Sequence, residues 1–388
     1  MNCAVDSQQE IPFSREDNRW MQLACSYARR AQGLSWPNPA VGCVLVSADN
    51  LLLAVEHTQS GGRPHAEAAA LESLEQSGNS AAFEGGTAYV TLEPCAHEGR
   101  GPACADLLVR FGAARVVYAV ADPDERVNGK GHAKLIDGGV SVQSGLCAQE
   151  AASGLTGFLA SRRLSFPYLT SKIATSADGF ISAETQQKTW LTNEVSRAFV
   201  HDLRSRVDAV LTGIRTVQID NPELTCRLSG GRGRTPVRII FDSDLRLRSD
   251  SAIVQTRAAG SVIVFCSQTA DSNSQAELEK YDIEVVRLKQ NAGRLDLSAA
   301  LHWCEQRQLS TLLLEAGTEL NSNFYSAGLI NQIIHLTAPK ILKSGVPGLL
   351  FDATAARALA FPCDSHYIKV RSGELAGDLL SIWQRDLK

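Results

Sequence analysis

Three residues of types that bind soft metal ions stand out by their spacing. His65-Ala66-Glu67 follows Gly61-Gly62-Arg63-Pro64, Thr91-Leu92-Glu93-Pro94-Cys95 comes next, and Cys104 lies nine residues beyond Cys95. One imidazole and two thiolates give a tetrahedral Zn²⁺ three ligands and leave the fourth position for water, which is the arrangement of a catalytic zinc. Glu67 is too close to His65 in sequence to share its metal comfortably. Its carboxylate can instead reach that water and carry protons from it to a leaving amine. The general pattern of zinc deaminases is H-x-E followed by P-C-x-x-C, and here eight residues, Ala96 to Ala103, replace two. A structural zinc would take His97 as its fourth ligand, but it would leave Glu67 without a role and would exceed the usual C-x₂₋₄-C spacing.

The second half of the chain carries neither a G-x-G-x-x-G dinucleotide fingerprint nor a G-x-x-x-x-G-K-[ST] phosphate loop. Its chemistry-bearing residues are Lys172 inside an apolar strand, an Asp178-Gly179 turn, Asp220-Asn221-Pro222, and Glu315-Ala316-Gly317-Thr318 running from a strand into a helix. Small residues ahead of a helix N-terminus make a natural seat for a cofactor phosphate, although a plain strand-to-helix connection reads the same way.

The elements that must position these residues follow from periodicity. Apolar spacing predicts a helix over 18–30, a hairpin of strands 41–47 and 51–57, a helix over 65–75, a strand at 87–92, a helix at 103–110 and a strand at 115–120. The alternation implies a three-layered α/β domain whose later strands run parallel. Residues 148–163, rich in Ala, Ser and Gly, read as a linker. Beyond it, strands at 168–174, 208–212, 237–241, 261–266, 311–315 and 332–337 alternate with helices at 194–205, 298–307 and 319–327, which predicts a second, larger α/β domain.

Composition bounds the function. The 388 residues are 44% hydrophobic and 21% charged, which excludes disorder and collagen and makes two domains the default. With 38 basic and 42 acidic side chains the net charge is -4, against the basic excess expected of a general nucleic-acid binder. The opening residues, Met1 to Asp17, lack the apolar core of a signal peptide, and no apolar run approaches the ~18 residues of a membrane span. The expectation is a soluble, cytoplasmic protein without nucleic-acid or membrane partners. The ten cysteines, at 3, 25, 43, 95, 104, 147, 226, 266, 304 and 363, are dispersed, several within apolar runs, so most read as buried reduced thiols. Only Cys95 and Cys104 sit among polar reactive types.

The stretches Trp36-Pro37-Asn38-Pro39-Ala40-Val41-Gly42-Cys43, Pro64-His65-Ala66-Glu67, 91–100 and Asp122-Pro123 with Gly129-Lys130-Gly131 resemble the bifunctional riboflavin biosynthesis deaminase/reductase family. The long gap between Cys95 and Cys104 is that family's form of the zinc motif. Lys172 to Gly179, Trp190-Leu191-Thr192, Leu203-Arg204, Asp220 to Arg227 and Leu314-Glu315-Ala316-Gly317 resemble its reductase half, so the likeness covers nearly the whole chain. It implies a cytidine-deaminase-like three-layer domain followed by a dihydrofolate-reductase-like domain. The expected divisions are a flexible tail over 1–13, a zinc-dependent pyrimidine deaminase over 14–160 and an NADPH-dependent reductase over 161–388.

The resemblance also implies the chemistry: deamination of 2,5-diamino-6-ribosylamino-4(3H)-pyrimidinone 5′-phosphate, then NADPH reduction of the product's ribosyl group to ribityl. By motif position one zinc is held by His65, Cys95 and Cys104, Glu67 is catalytic, and Asn38, His57, His97 and Arg100 line the deaminase pocket. Lys172, Lys188, Arg204, Leu224, Arg227 and Glu315 would meet the reductase substrate. Thr175, Trp190, Thr216, Asp220, Ser243, Gly317, Thr318, Glu319, Leu320, Asn321, Ser322 and Asn323 would contact NADPH. An acid is needed near the sugar, and Lys172 and Glu315 are both open as that acid. The family also implies a homo-oligomer joined through the reductase domain.

Lys188 departs from the family's usual small residue two positions before Trp190, which leaves open either a weakened reductase or an added phosphate contact. The competing readings are a nucleic-acid-editing deaminase with a C-terminal binding module, disfavoured by the charge balance, and a deaminase joined to a silent second domain.

Overall fold

The computed structural model describes residues 12–99, 101–124, 127–183, 190–228, 234–348 and 366–386. Arg100, Lys188 and residues 1–11 of the expected tail lie outside them. The chain clusters into two compact units that divide between Leu155 and Thr156.

In the first unit, α1 (Arg15–Ala31) starts at a capping box in which Ser14 Oγ accepts from the Asp17 amide at 2.9 Å and Asp17 Oδ2 accepts from the Ser14 amide at 2.8 Å. It is followed by β1 (Gly42–Val46), β2 (Leu52–His57), α2 (Ala66–Gln76), β3 (Thr87–Leu92), α3 (Cys104–Arg110), β4 (Arg115–Val120), α4 (Lys130–Asp137), β5 (Ser141–Ser144) and α5 (Ala148–Gly154). The sheet order is β2-β1-β3-β4-β5, with β1 antiparallel to both neighbours and β3, β4 and β5 parallel. Trp20, Met21 and Ala24 of α1 and Ala151 of α5 bury Val44, Val46, Tyr89 and Val117 on one face, and α2, α3 and α4 pack on the other. A Cβ at Gly42 would come 2.0 Å from Ala24 O, so α1 seats on β1 only because that position has no side chain.

In the second unit the elements are α6 (Thr156–Leu164), β6 (Tyr168–Ser176), β7 (Phe180–Ser182), α7 (Glu194–Ser205), β8 (Ala209–Gly213), α8 (Ile214–Asp220), β9 (Val237–Phe241), α9 (Ala252–Gln255), β10 (Val262–Ser267) and α10 (Ser272–Glu279). They continue with β11 (Glu284–Leu288), β12 (Gln290–Asn291), β13 (Arg294–Leu295), α11 (Leu297–Gln306), β14 (Thr311–Leu314), α12 (Thr318–Ser326), β15 (Gln332–Ala338), β16 (Val346–Pro347), β17 (Tyr367–Leu375) and β18 (Asp378–Arg385). The main sheet runs β11-β10-β9-β8-β14-β6-β15-β18-β17. It is parallel from β11 through β15, and the last two strands are antiparallel. In such sheets ligands bind outside the carboxyl ends of the parallel strands.

The α/β architecture expected from the alternation is present in both units. The stretch read as a linker contains the division between the units, at Leu155 and Thr156, and is folded on either side of it as α5 and α6. Its small residues serve close packing: a Cβ at Gly157 would stand 2.1 Å from Thr311 Cγ2. Among the described residues no helix is long and apolar enough to cross a membrane.

Candidate active sites

In the first unit the ends of three elements converge. His65 is the residue preceding α2, Cys95 follows the turn that closes β3, and Cys104 opens α3 with its amide donating to Cys95 Sγ at 3.4 Å. The three ligand atoms lie within 4.8 Å of one another. His65 Nδ1 is 3.7 Å from Cys95 Sγ and 3.5 Å from Cys104 Sγ. A tetrahedral zinc with Zn–N of about 2.1 Å and Zn–S of about 2.3 Å sets sulfur and nitrogen about 3.6 Å apart, so the residues fit that ion. Hydrogen bonds from Cys104 and His65 pull the Cys95 thiol below the usual range, while the hydrogen bond to Cys95 and burial push the Cys104 thiol up. A divalent cation takes both as thiolates.

Glu67, in the first turn of α2, is 4% exposed. Burial, aided by the Cys95 charge, pushes its carboxyl up to about 7. Asn38 Nδ2 donates to Gly62 O at 2.7 Å and lies 3.3 Å from His65 Nε2, so this residue is at the site. His97 Nδ1 is buried with no hydrogen-bond partner among the described residues, an orphan polar atom that a ligand could satisfy. His57 ends β2 with Nδ1 3.0 Å from Thr58 O. Sequence reasoning passed over Arg63, whose guanidinium lies beside Gly99 and Gly101, 3.1 Å and 3.4 Å from where a Cβ at each would stand. A cation two residues before His65 was the available signal.

In the second unit a cavity of about 1090 Å³ opens beyond the carboxyl ends of β8 and β9 and at the start of α12. Thr216, Asp220, Ser243, Gly317, Thr318, Glu319, Leu320 and Asn323 line it. Gly317 caps α12, and its amide donates to Thr216 Oγ1 at 3.1 Å. Asn321 and Ser322 turn inward: Asn321 accepts from Ser171 Oγ at 2.7 Å and Ser322 donates to Thr318 O at 2.7 Å. Consecutive helical residues point about 100° apart, so one helix cannot direct all seven residues from 317 to 323 at one ligand. Thr175 is buried against His335 Nε2 at 2.9 Å, and Trp190 is 61% exposed beneath Arg197 at 5.2 Å. Neither is among the residues lining the cavity. Arg215, Arg246 and Arg294 do line it, and the sequence reading did not include them.

A second cluster gathers residues that lie far apart in sequence. Glu315, after β14, receives Arg204 Nε at 2.5 Å and Nη2 at 3.0 Å, with Lys172 Nζ at 3.4 Å. Burial opposes its ionisation, but the charges and hydrogen bonds of Arg204 and Lys172 prevail and hold it down at about 2. Arg204 also donates to Thr225 O at 3.2 Å, and Arg227 donates to Thr225 Oγ1 at 2.8 Å, so both guanidinium groups reach one turn. Leu224 is 4% exposed at a φ of 53°, packed in the core beneath that turn.

A cysteine-and-histidine centre at the strand ends of a three-layer α/β unit, followed by a second α/β unit whose mostly parallel sheet opens on a large cavity, marks the chain as a two-domain α/β enzyme with a zinc-binding site of the hydrolytic deaminase type. Residues 14–120 match the cytidine and deoxycytidylate deaminase zinc-binding region, and residues 167–367 match the RibD C-terminal domain. The riboflavin biosynthesis protein RibD of Aquifex aeolicus is 35% identical over 331 residues, covering 85% of this chain and 89% of its own. Acinetobacter baumannii RibD superposes with a TM-score of 0.82 at 31% identity, covering 96% of this chain and 99% of its own. The diaminohydroxyphosphoribosylaminopyrimidine deaminase/5-amino-6-(5-phosphoribosylamino)uracil reductase of Thermotoga maritima does so with 0.81 at 28%, over the same shares. The chain belongs to the RibD family of riboflavin biosynthesis proteins, bifunctional enzymes that join a zinc-dependent deaminase to an NADPH-dependent reductase, and both domains are present.

Proposed function

We propose that residues 14–160 deaminate 2,5-diamino-6-ribosylamino-4(3H)-pyrimidinone 5′-phosphate and that residues 161–388 then reduce the ribosyl group of the product to ribityl. The observation that carries the first step is the convergence of His65, Cys95 and Cys104 at zinc-compatible separations beside a buried Glu67. These three residues would hold a zinc ion, which would supply a Lewis acid for the activation of water. Glu67 moves the proton from that water to the departing amine, which leaves as ammonia. Asn38, fixed by Gly62 O, reads the pyrimidine edge, and the orphan Nδ1 of His97 supplies a second polar contact. His57 and Arg100 complete the pocket in this reading, with Arg100 on the phosphate.

For the second step, the 1090 Å³ cavity would hold NADPH, which would supply the hydride for reduction of the open imine form of the sugar. The acid left open by the sequence is Lys172, because Glu315 is held as an anion at neutral pH by its two cations. Arg204 and Arg227 face the substrate phosphate, Leu224 shapes the floor beneath their turn, and Lys188 adds a further cation. Thr216, Ser243 and the first turn of α12 seat the cofactor, with Asp220, Glu319, Leu320 and Asn323 on its walls. Thr175, Trp190, Asn321 and Ser322 support this seat from behind or close over it.

The substrate is a small molecule. The chain works as a homo-oligomer through its reductase domain, a reading supported by the exposed Ile368, Val370 and Leu379 on β17 and β18. The free thiols of the described cysteines suit the cytoplasm.

Zinc removal tests the order of the steps. Chelator-treated enzyme should stop oxidising NADPH with the diamino substrate yet continue with the deaminated one. NADPH oxidation at an unchanged rate with the diamino substrate would sink the reading.

A further inference from the structure

Two conspicuous parts of the sequence have no role in the reaction as derived: Glu93 in Thr91-Leu92-Glu93-Pro94-Cys95, and Asp122-Pro123 with Gly129-Lys130-Gly131. The structure brings them together. Glu93 is 3% exposed. Its Oε2 accepts the backbone N–H of Asp122 at 3.3 Å and of Gly129 at 3.1 Å, and its Oε1 accepts that of His132 at 3.1 Å. The Glu93 amide donates to Val120 O at 2.9 Å, extending the pairing of β3 with β4. Gly131 passes so close that a Cβ there would stand 1.9 Å from Pro94 O.

A second tie lies on the far side of Cys95. Lys134 Nζ reaches Ala96 O at 3.4 Å and Asp106 Oδ2 in α3 at 2.6 Å. The residues flanking Cys95 and the helix that begins with Cys104 are thus fastened to α4 and the loop before it. A buried carboxylate is costly unless its oxygens are satisfied, and bonds from N–H groups to an ionised acceptor are about twice as strong as neutral ones. Three of them on one side chain fix the turn in two directions, which a neutral side chain of the same size could not do.

We propose that Glu93 is a positioning residue for the metal centre, acting through Cys95: with Asp122, Gly129, Gly131 and His132 as its clasp, it holds the thiolate at the separation from His65 and Cys104 that a tetrahedral cation requires. This rests on the reading of that cluster as a zinc site. Partners outside the ligand set that orient the ligands typically change metal affinity by about 10–100-fold when lost.

The test uses the full chain carrying Glu93→Gln, with zinc affinity measured by competition against a chromophoric chelator and the Co²⁺-substituted spectrum recorded. Hydrogen exchange at β3 and β4 serves as the control for folding of the first unit, and reduction of the deaminated substrate as the control for the second. The expected result is zinc binding weakened about tenfold or more, a shifted cobalt–thiolate band, a lowered kcat for deamination with little change in KM, and an unchanged reductase rate. Gly131→Ala pushes the same turn from the other side without touching the carboxylate, and the same loss of zinc affinity is expected. If Glu93→Gln keeps zinc affinity within about twofold of wild type and lowers only the melting temperature, Glu93 is a structural strut and the proposal fails, and if that variant does not fold, Gly131→Ala is judged by the same criterion. A wild-type chain that binds no zinc at all would instead overturn the metal reading underneath.

Discussion

Glu315→Gln keeps the side chain's shape and removes one negative charge from between two cations. The carboxyl is 8% exposed and held at about 2 against its ordinary 4.5. At about 1.4 kcal/mol for each tenfold change in the ionisation constant, that depression is worth about 3 kcal/mol to the folded second unit. In the variant Arg204 and Lys172 remain, 12% and 19% exposed, without their shared counter-charge, the situation in which half of a buried pair is most destabilising. Stability of this unit at neutral pH is therefore expected to fall by about 2–4 kcal/mol.

The acid dependence gives a second signature. Because the folded pKa lies below the unfolded one, the wild-type contribution is complete above about pH 4.5 and is lost as pH falls toward 2. The wild-type and variant curves should converge over that window. Hydrogen exchange at β6 and β14, resolved by mass, reads this unit separately from the first. Reductase activity should fall sharply, and deaminase activity should persist. A variant within about 0.5 kcal/mol of wild type at neutral pH, or a gap that stays constant down to acid, would refute the reasoning.

Three further outcomes follow. Glu67→Gln should retain zinc and reductase activity while deamination slows by about 10²–10⁴-fold, checked by metal analysis and by ammonia release. Gly42→Ala should destabilise the first unit by about 1–3 kcal/mol or more, since its Cβ meets the α1 backbone at Ala24 O, and chemical denaturation measures this. Ser243→Glu puts a carboxylate on the wall of the cavity and should weaken NADPH by about tenfold or more, or about 1.4 kcal/mol, in a tryptophan-quenching titration.

Strands 87–92 and 115–120 were legible to the residue because both are short runs rich in β-branched and aromatic residues, buried along nearly their whole length. The helix expected over 194–205 is also present with those bounds, and the structure shows its start capped by Asn193, whose side chain accepts from the Ser196 amide. β17 was invisible for the opposite reason: it reads Tyr-Ile-Lys-Val-Arg-Ser-Gly-Glu-Leu and lies at a sheet edge, mostly exposed, so no burial pattern marks it. The segment 148–163 marked the division between the units, but its two helices were not legible, because small residues signal flexibility in composition and close packing in three dimensions, as Gly157 against Thr311 demonstrates.

The metal cluster was legible because its ligand types are rare and its motif short. The clasp around Glu93 was not, since a carboxylate that accepts only backbone N–H groups from residues 122, 129 and 132 leaves no complementary side chain to find. The Arg204–Glu315–Lys172 cluster joins residues 111 positions apart and more, and periodicity carries no information at that distance. The resemblance named those residues, and the geometry adds that Glu315 is the shared counter-ion of Arg204 and Lys172.

The most direct test of two successive catalysts in one chain is to incubate the purified protein with the diaminopyrimidine phosphate, with and without NADPH, and follow the products by mass. Without NADPH the product should show exchange of NH for O and nothing more, and with NADPH the same species should then gain two hydrogens. Gain of two hydrogens by a substrate that still carries its ring amino group, or no exchange in the zinc-loaded enzyme, would contradict the account.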